Sequence, residues 1–459
     1  MEQFLKKAIE RSATDYADAM FEDTRMMTIS FNKKDIQNVS TTILGGGRIT
    51  AIAGGGYAGA SFTRPESIAK AVEDAAVSAR ALAAFDPTNT LAPAPVIRDR
   101  VVPAMQIDPA TVGFDEKVAL ALEYLDLVLK TPRIFTAQGS YTETFTRKTY
   151  VNSEGSEISQ NITLCYFSCR MMAQDGDQTE SLGFTIGFDA DFSKLRNRHR
   201  EVEEHAKLTV DLLNAAPITP GVHTIVADQD LSGVFIHEAF GHLSESDDTI
   251  NNPSLRKLLV LGRRLGSDEL NIVDQGDFPG ASGSYVYDDE GVRTRKTYLV
   301  KNGLLHDRLY SRLSAAQLDG RPTGNYRATD YRFMPLVRMS NIFIEAQSHS
   351  FEALCDAVGD GYCLCGGKGG QTMGDLFTFG AQHGFEIRNG KLGRMVKDIN
   401  ISGNVFETLG NISMIGNDFK MNEGGGCGKT RAGLYDMQML DKSGTGGPSI
   451  VIRDVVIGG

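Results

Sequence analysis

No run of about 18 apolar residues, the length a helix needs to cross a bilayer, occurs in this chain, so no membrane span is indicated. The opening residues Met1-Glu2-Gln3-Phe4-Leu5-Lys6-Lys7 lack the apolar core of a secretory signal. Positive charge is not in excess: 47 Lys and Arg face 58 Asp and Glu, for a net charge of -11. A general nucleic-acid binder would show a basic footprint, so that class is set aside. Cysteine is scarce, and the six present have no regular spacing. That pattern suits a reducing cytoplasm.

What is there is ordinary for a globular protein: 41% hydrophobic and 23% charged residues. At 459 residues the chain exceeds one core and predicts at least two domains. Residues 1–12 read as a short helix, and Asp15 to Phe62 as a β meander punctuated by Gly45–Gly47 and Gly54–Gly56. Arg64 to Leu82, with Pro65 near its start, reads as a helix, as does Asp115 to Lys130 before Thr131-Pro132. Thr-, Tyr- and Phe-rich strands fill Ile134 to Phe192. A charged helix follows from Arg196 to Leu213, closed by Pro217 and Pro220. The domain boundary is placed at 214–221. Beyond it, Val222 to Val226 reads as a strand and Leu231 to His242 as a helix. The remainder reads as strands and glycine turns, with Asn302-Gly303 and Asn389-Gly390 as hairpin signals and Ser449 to Ile457 as a core strand. The expected fold class is α+β: a helix-and-sheet N-terminal domain, 1–213, then a strand-rich C-terminal domain, 221–459.

Histidine is rare, at eight residues, yet two of them flank a carboxylate in Ile236-His237-Glu238-Ala239-Phe240-Gly241-His242. Neutral imidazole is the commonest metal ligand, and a Glu beside a bound metal is the usual base for activating water. The familiar zinc-peptidase pattern sets its histidines at i and i+4 on one helical face. Here they stand at i and i+5, about 140° apart on a regular α-helix. The spacing therefore predicts a π-type bulge, or a distortion at Gly241, between His237 and His242. The bland alternative is two histidines on an amphipathic helix.

Catalytic zinc takes three protein ligands. Cys427, in Asn422-Glu423-Gly424-Gly425-Gly426-Cys427-Gly428-Lys429, is a candidate third, because the glycines let the backbone turn sharply and Lys429 would favour thiolate. Cys363 and Cys365, spaced to share one face of a strand, are rivals.

Together these residues resemble the TldD/PmbA family of metalloproteases. The resemblance extends to Asp15-Tyr16-Ala17-Asp18, Gly45-Gly46-Gly47-Arg48 with Ala53-Gly54-Gly55-Gly56, Val151-Asn152-Ser153-Glu154-Gly155, Arg338-Met339-Ser340-Asn341 and Ile412-Ser413-Met414-Ile415-Gly416-Asn417-Asp418. The chain keeps the zinc motif and so resembles the TldD-like branch rather than the PmbA-like (TldE-like) one. The resemblance implies zinc on His237, His242 and Cys427, Glu238 as general base, and unfolded or flexible peptides as substrates. It also implies a dimer, of two identical chains or with a PmbA/TldE-like chain. Departures are the run Leu243-Ser244-Glu245-Ser246-Asp247-Asp248, a short Gly369–Asp375 segment, and His383 where a Glu is expected.

Other signals compete. Gly424–Thr430 ends like a phosphate loop, but the pattern requires Gly where Glu423 stands. Arg327, Arg332 and Arg338 read either as loop arginines paired with Asp319 and Asp330 or as a grip on a substrate carboxylate. Asp247 and Asp248 read as solvated, and Glu245 as a hydrogen-bond partner for a ligand imidazole. The leading expectation is a zinc-dependent peptidase. The alternative is a non-catalytic peptide-binding or regulatory subunit with a structural metal, for which Cys363 or Cys365 would close a four-ligand site.

Overall fold

In the computed structural model, which describes residues 1–430, 437–440 and 442–458, alternation of apolar and polar residues makes Tyr16–Asn32 a long strand. A turn with Lys33 at φ 54 returns it as Asp35–Ala53. These two lie in a seven-stranded sheet with Gly56–Phe62 on one side and Ile134–Asn152 and Glu157–Asp175 on the other. Gln178–Asp189 and Arg98–Val101 both pair with Glu157–Asp175. The face carrying Met27, Ile29 and Phe31 is covered by the helices Phe114–Lys130 and His199–Asp211 through Tyr124, Leu125, Val128, Val202 and Ala206. Ile68–Ala83 covers Ala19, Ile49 and Ala51, entered through a short 3-10 turn at Pro65–Ser67. The opposite face carries hydroxyls, which bond across strands between Thr24 and Thr146 and between Ser140 and Ser168. That face turns toward the C-terminal half.

There, five strands close a ring. Gly221–Ala227 pairs with Ile450–Gly458, which pairs with Ile399–Asn404, then Leu376–Arg388, then Gly361–Met373, which returns to Gly221–Ala227. Closure leaves these strands without free edges. Both Asn-Gly hairpins form as the sequence predicts, with Asn302 and Gly303 at φ 50 and 73 and Asn389 and Gly390 at φ 48 and 74. A separate six-stranded sheet includes Ile272–Gln275, Asn341–Ile344 and Gly444–Gly447. The helix Gln229–Ile236 packs against both layers, burying Leu231 and Phe235 among Ile225, Phe377, Phe379 and Ile452. The architecture is α+β, as expected. Among the described residues, no helix is long and apolar enough to cross a membrane.

Candidate metal centre

The metal-site helix starts two residues earlier than the apolar pattern suggests, because Asp228 caps it. The Asp228 carboxylate accepts from Leu231 N at 2.8 Å and from Gly366 N at 3.1 Å, tying the helix to the strand Gly361–Met373. Burial pushes this carboxyl up to about 7. The regular α-helix ends at Ile236. A π turn spans His237–Gly241, and a 3-10 turn follows at His242–Ser244. The π turn absorbs the extra residue, so the two imidazoles meet on one side with ring centroids 5.1 Å apart. Gly241 lets the end of this turn pack closely: a Cβ there would stand 2.1 Å from Met339 Sδ, which would have to shift.

Cys427 opens the strand Cys427–Thr430, which pairs with Met437–Leu440. Its Sγ lies 3.5 Å from His242 Nε2, and one ligand atom from each of His237, His242 and Cys427 falls within 4.8 Å of the others. Burial alone would push the thiol up, but the two imidazoles outweigh it and hold Cys427 well below the ordinary thiol range. The other nitrogen of His242, Nδ1, faces Glu245 Oε2 at 3.2 Å. This carboxylate is fully buried, yet Lys429, at 3.0 Å, and His242 overcome the desolvation and hold it well below the usual carboxylate range. Glu245 thus fixes which nitrogen of His242 turns toward the thiol, the role the sequence suggests.

The structure brings His237, His242 and Cys427 together, but it corrects other expectations. Lys429 does not act on the thiol. It is buried among Asp247 at 2.6 Å, Glu245 at 3.0 Å and Asp248 at 3.2 Å, and these charges favour its ammonium. Asp247 and Asp248 are therefore ion-pair partners rather than merely solvated groups. Cys363 and Cys365 share a strand face, with sulfurs 3.8 Å apart, but Cys365 packs against Asp228 and neither joins the histidine cluster. Cys427–Thr430 is a strand, where a phosphate loop would already have begun its helix.

The arginines divide. Arg332 pairs with Asp330 at 2.7 Å, while Asp319 turns the chain at φ 55. Arg327 and Arg338 are buried and donate to backbone carbonyls, so they offer no grip on a substrate carboxylate. Arg327 reaches the carbonyls of Lys442 and Met339, and Arg338 those of Gln438 and Cys427. Arg338 thereby clamps the strand that carries the thiol. Sequence reasoning missed this clamp, and it missed Asp228, although an Asp before an apolar helical run was a visible capping signal.

Glu238 is half-buried and follows His237 on the wall of a cleft of about 920 Å³. Ser30, Gln138 and Ser168 of the N-terminal sheet line one wall, and His237, Glu238 and the run Gly424–Gly426 line the other. His383 lies on the strand Leu376–Arg388 opposite Cys365, and burial, with nearby His205, pushes its imidazole down to about 4.

Comparison with known proteins places the chain in a family. Residues 17–79, 107–213 and 220–459 match, in turn, domain 1, the central domain and the C-terminal domain of the PmbA/TldA metallopeptidases. A metalloprotease of Synechocystis sp. is 36% identical over 455 residues, covering 98% of this chain and 96% of its own. A zinc metalloprotease TldD homolog of Saccharolobus solfataricus is 33% identical over 335 residues, 72% of each chain. The crystal structure of TldE from Thermococcus kodakarensis shares the fold, with a TM-score of 0.74 at 20% identity over 100% of both chains. The chain belongs to the PmbA/TldD metallopeptidase family.

Proposed function

We propose that this chain is a zinc-dependent peptidase that hydrolyses unfolded or flexible peptides. His237, His242 and Cys427 hold the metal and Glu238 is the general base. The observation that carries this reading is the convergence of two imidazoles and a thiol, His242 and Cys427 being 185 residues apart in sequence, beside a cleft that also holds a carboxylate.

The residues fit zinc. Bonds of about 2.3 Å to sulfur and about 2.0 Å to nitrogen, at a tetrahedral angle, set those atoms about 3.5 Å apart. The separation between Cys427 Sγ and His242 Nε2 is 3.5 Å. His237 Nδ1 is buried without a hydrogen-bond partner among the described residues, so the ring has donor capacity to spare. Thiolate with imidazole favours zinc among first-row metals. A bound zinc supplies Lewis-acid polarisation of the scissile carbonyl and acidifies water.

Glu238 then takes the proton of the attacking water and passes it to the leaving amine. Glu245 keeps His242 in the tautomer that presents Nε2. Residues 1–213 and 221–459 act as two domains forming the walls of the cleft, where a peptide lies extended and is read through its backbone. The protein works in a reducing cytoplasm, consistent with its free cysteines, as a homodimer or with a TldE-like chain.

The alternative, a regulatory subunit with a structural metal, calls for a fourth protein ligand. Among the described residues no fourth His, Cys or carboxylate joins the three, which favours an open, catalytic site. Glu238→Gln tests the reading: the variant retains zinc and loses peptide cleavage. Retained cleavage would remove Glu238 from the mechanism.

A further inference from the structure

Glu423 has no place in the chemistry above, yet it reaches across the cleft. Its Oε2 accepts from the backbone N–H of Gly187 at 2.8 Å, and its Oε1 accepts from Arg198 at 2.9 Å. Both partners belong to elements that line the opposite wall: Gly187 is on the strand Gln178–Asp189 and Arg198 precedes the helix His199–Asp211. The preceding residue holds the near wall. Asn422 Nδ2 donates to Asp230 O at 3.1 Å, in the first turn of the metal-site helix, and to Thr445 Oγ1 at 2.9 Å. Two adjacent residues thus fasten one loop to both sides of the cleft.

Between this fastening and the thiol lie Gly424, Gly425 and Gly426. Gly424 and Gly425 adopt φ 96 and 143, and a Cβ on Gly425 would stand 2.3 Å from the Ser443 carbonyl oxygen. Three glycines have no side chains to hold their own course. The Ser443 N–H donates to the Gly425 carbonyl at 3.5 Å within the run, and beyond that single long bond the position of the Cys427 sulfur depends on what grips the loop at each end. Arg338 and strand pairing grip it beyond Cys427. Glu423 grips it before.

We propose that Glu423 is a positioning residue whose hold on Gly187 and Arg198 couples the approach of the two cleft walls to the placement of Cys427 in the metal site. This rests on the metal reading given above. It makes the N-terminal half, which supplies no ligand, a determinant of metal binding.

The test uses the full-length protein with Co²⁺ and Zn²⁺ as probes, folding first being checked by circular dichroism. Glu423→Ala is expected to weaken metal binding about tenfold in chelator competition, the scale of lost outer contacts at metal sites. It is also expected to reduce the thiolate-to-cobalt charge-transfer absorption, which reports the Co–S bond directly. Glu423→Gln keeps an oxygen for the Gly187 N–H and is expected to restore most of both signals. Arg198→Met, which leaves the loop sequence intact, shifts both signals in the same direction and stands in should Glu423→Ala fold poorly.

Wild-type affinity and an unchanged band in Glu423→Ala, or in Arg198→Met where that variant stands in, overturn the proposal. A wild-type protein that binds no metal, or a band that survives Cys427→Ser, instead overturns the metal assignment itself. The two failures are therefore distinguishable.

Discussion

Cys427 Sγ and His242 Nε2 are 3.5 Å apart, and a third residue, Glu245, secures the far side of the same imidazole at 3.2 Å. The thiol and the carboxylate thus hold the ring between them. Purified protein is expected to carry about one zinc per chain, and Cys427→Ser is expected to lose it, read by elemental analysis of both. Zinc content unaffected by the substitution would take Cys427 out of the ligand set. Glu245→Gln removes the buried charge facing His242. It is expected to lower zinc affinity about 10- to 100-fold while leaving some binding, since an amide oxygen can still accept from Nδ1.

Both the metal-site helix and its irregularity were legible in the sequence, for a geometric reason. Histidines at i and i+5 cannot converge on a regular helix, so the expected distortion followed from spacing alone, and His237–Gly241 is a π turn. The Asn-Gly hairpins were legible because two residues with positive φ leave few alternatives. Long-range electrostatics were not. Lys429 sits beside Cys427 in sequence, but its ammonium points to three carboxylates near residue 247. Arg338 reads in the sequence as a loop arginine paired with an aspartate or as a carboxylate grip, but it is buried and clamps the Cys427 carbonyl. Sequence neighbours set strand direction, whereas the partner of a buried charge is chosen by which elements pack together, and that depends on the whole fold.

Gly241 closes the π turn against Met339 and Ile342, where an added Cβ would lie 2.1 Å from Met339 Sδ and 2.9 Å from Ile342 Cδ1. Gly241→Ala is expected to overpack this contact and destabilise the protein by about 1–3 kcal/mol. The strain falls on the turn that aligns His237 with His242, so zinc affinity should fall with the melting temperature. Adding Met339→Ala makes room for the methyl, and the double variant should recover affinity even if its cavity leaves it less stable. An unaltered melting curve and affinity in Gly241→Ala would show that the turn yields freely.

Asp228 accepts from the first turn of the metal-site helix and from Gly366 on the neighbouring strand, so one carboxylate sets both the start of the helix and its seat on the ring. Asp228→Ala is expected to cost about 1–2 kcal/mol through the lost cap, and more if Gly366 N is left buried and unpaired. Asp228→Asn retains an acceptor and should recover much of the loss. Chemical denaturation of the three proteins at one pH decides this. Equal stability of the alanine and wild-type proteins would mean that ring and helix hold each other without the cap.

His383 supplies a pH dependence whose sign can be worked out. Its imidazole is pushed down to about 4 from an ordinary 6.5, first by burial and then by nearby His205. The native state therefore resists a proton that the unfolded chain accepts. Its stabilising contribution is fully present above about pH 6.5 and is lost as the pH falls toward 4. The upper limit on that loss is roughly 3 kcal/mol. Asp228, pushed up to about 7, works the other way: it favours the native state as the pH falls. A melting profile of the wild-type protein alone would mix the two. The difference between wild type and His383→Leu isolates the histidine. The variant should lose less stability than wild type between pH 6.5 and 4, with the two profiles running parallel above pH 7. Parallel profiles through that range would mean that His383 takes up its proton in the folded protein as readily as in the unfolded chain.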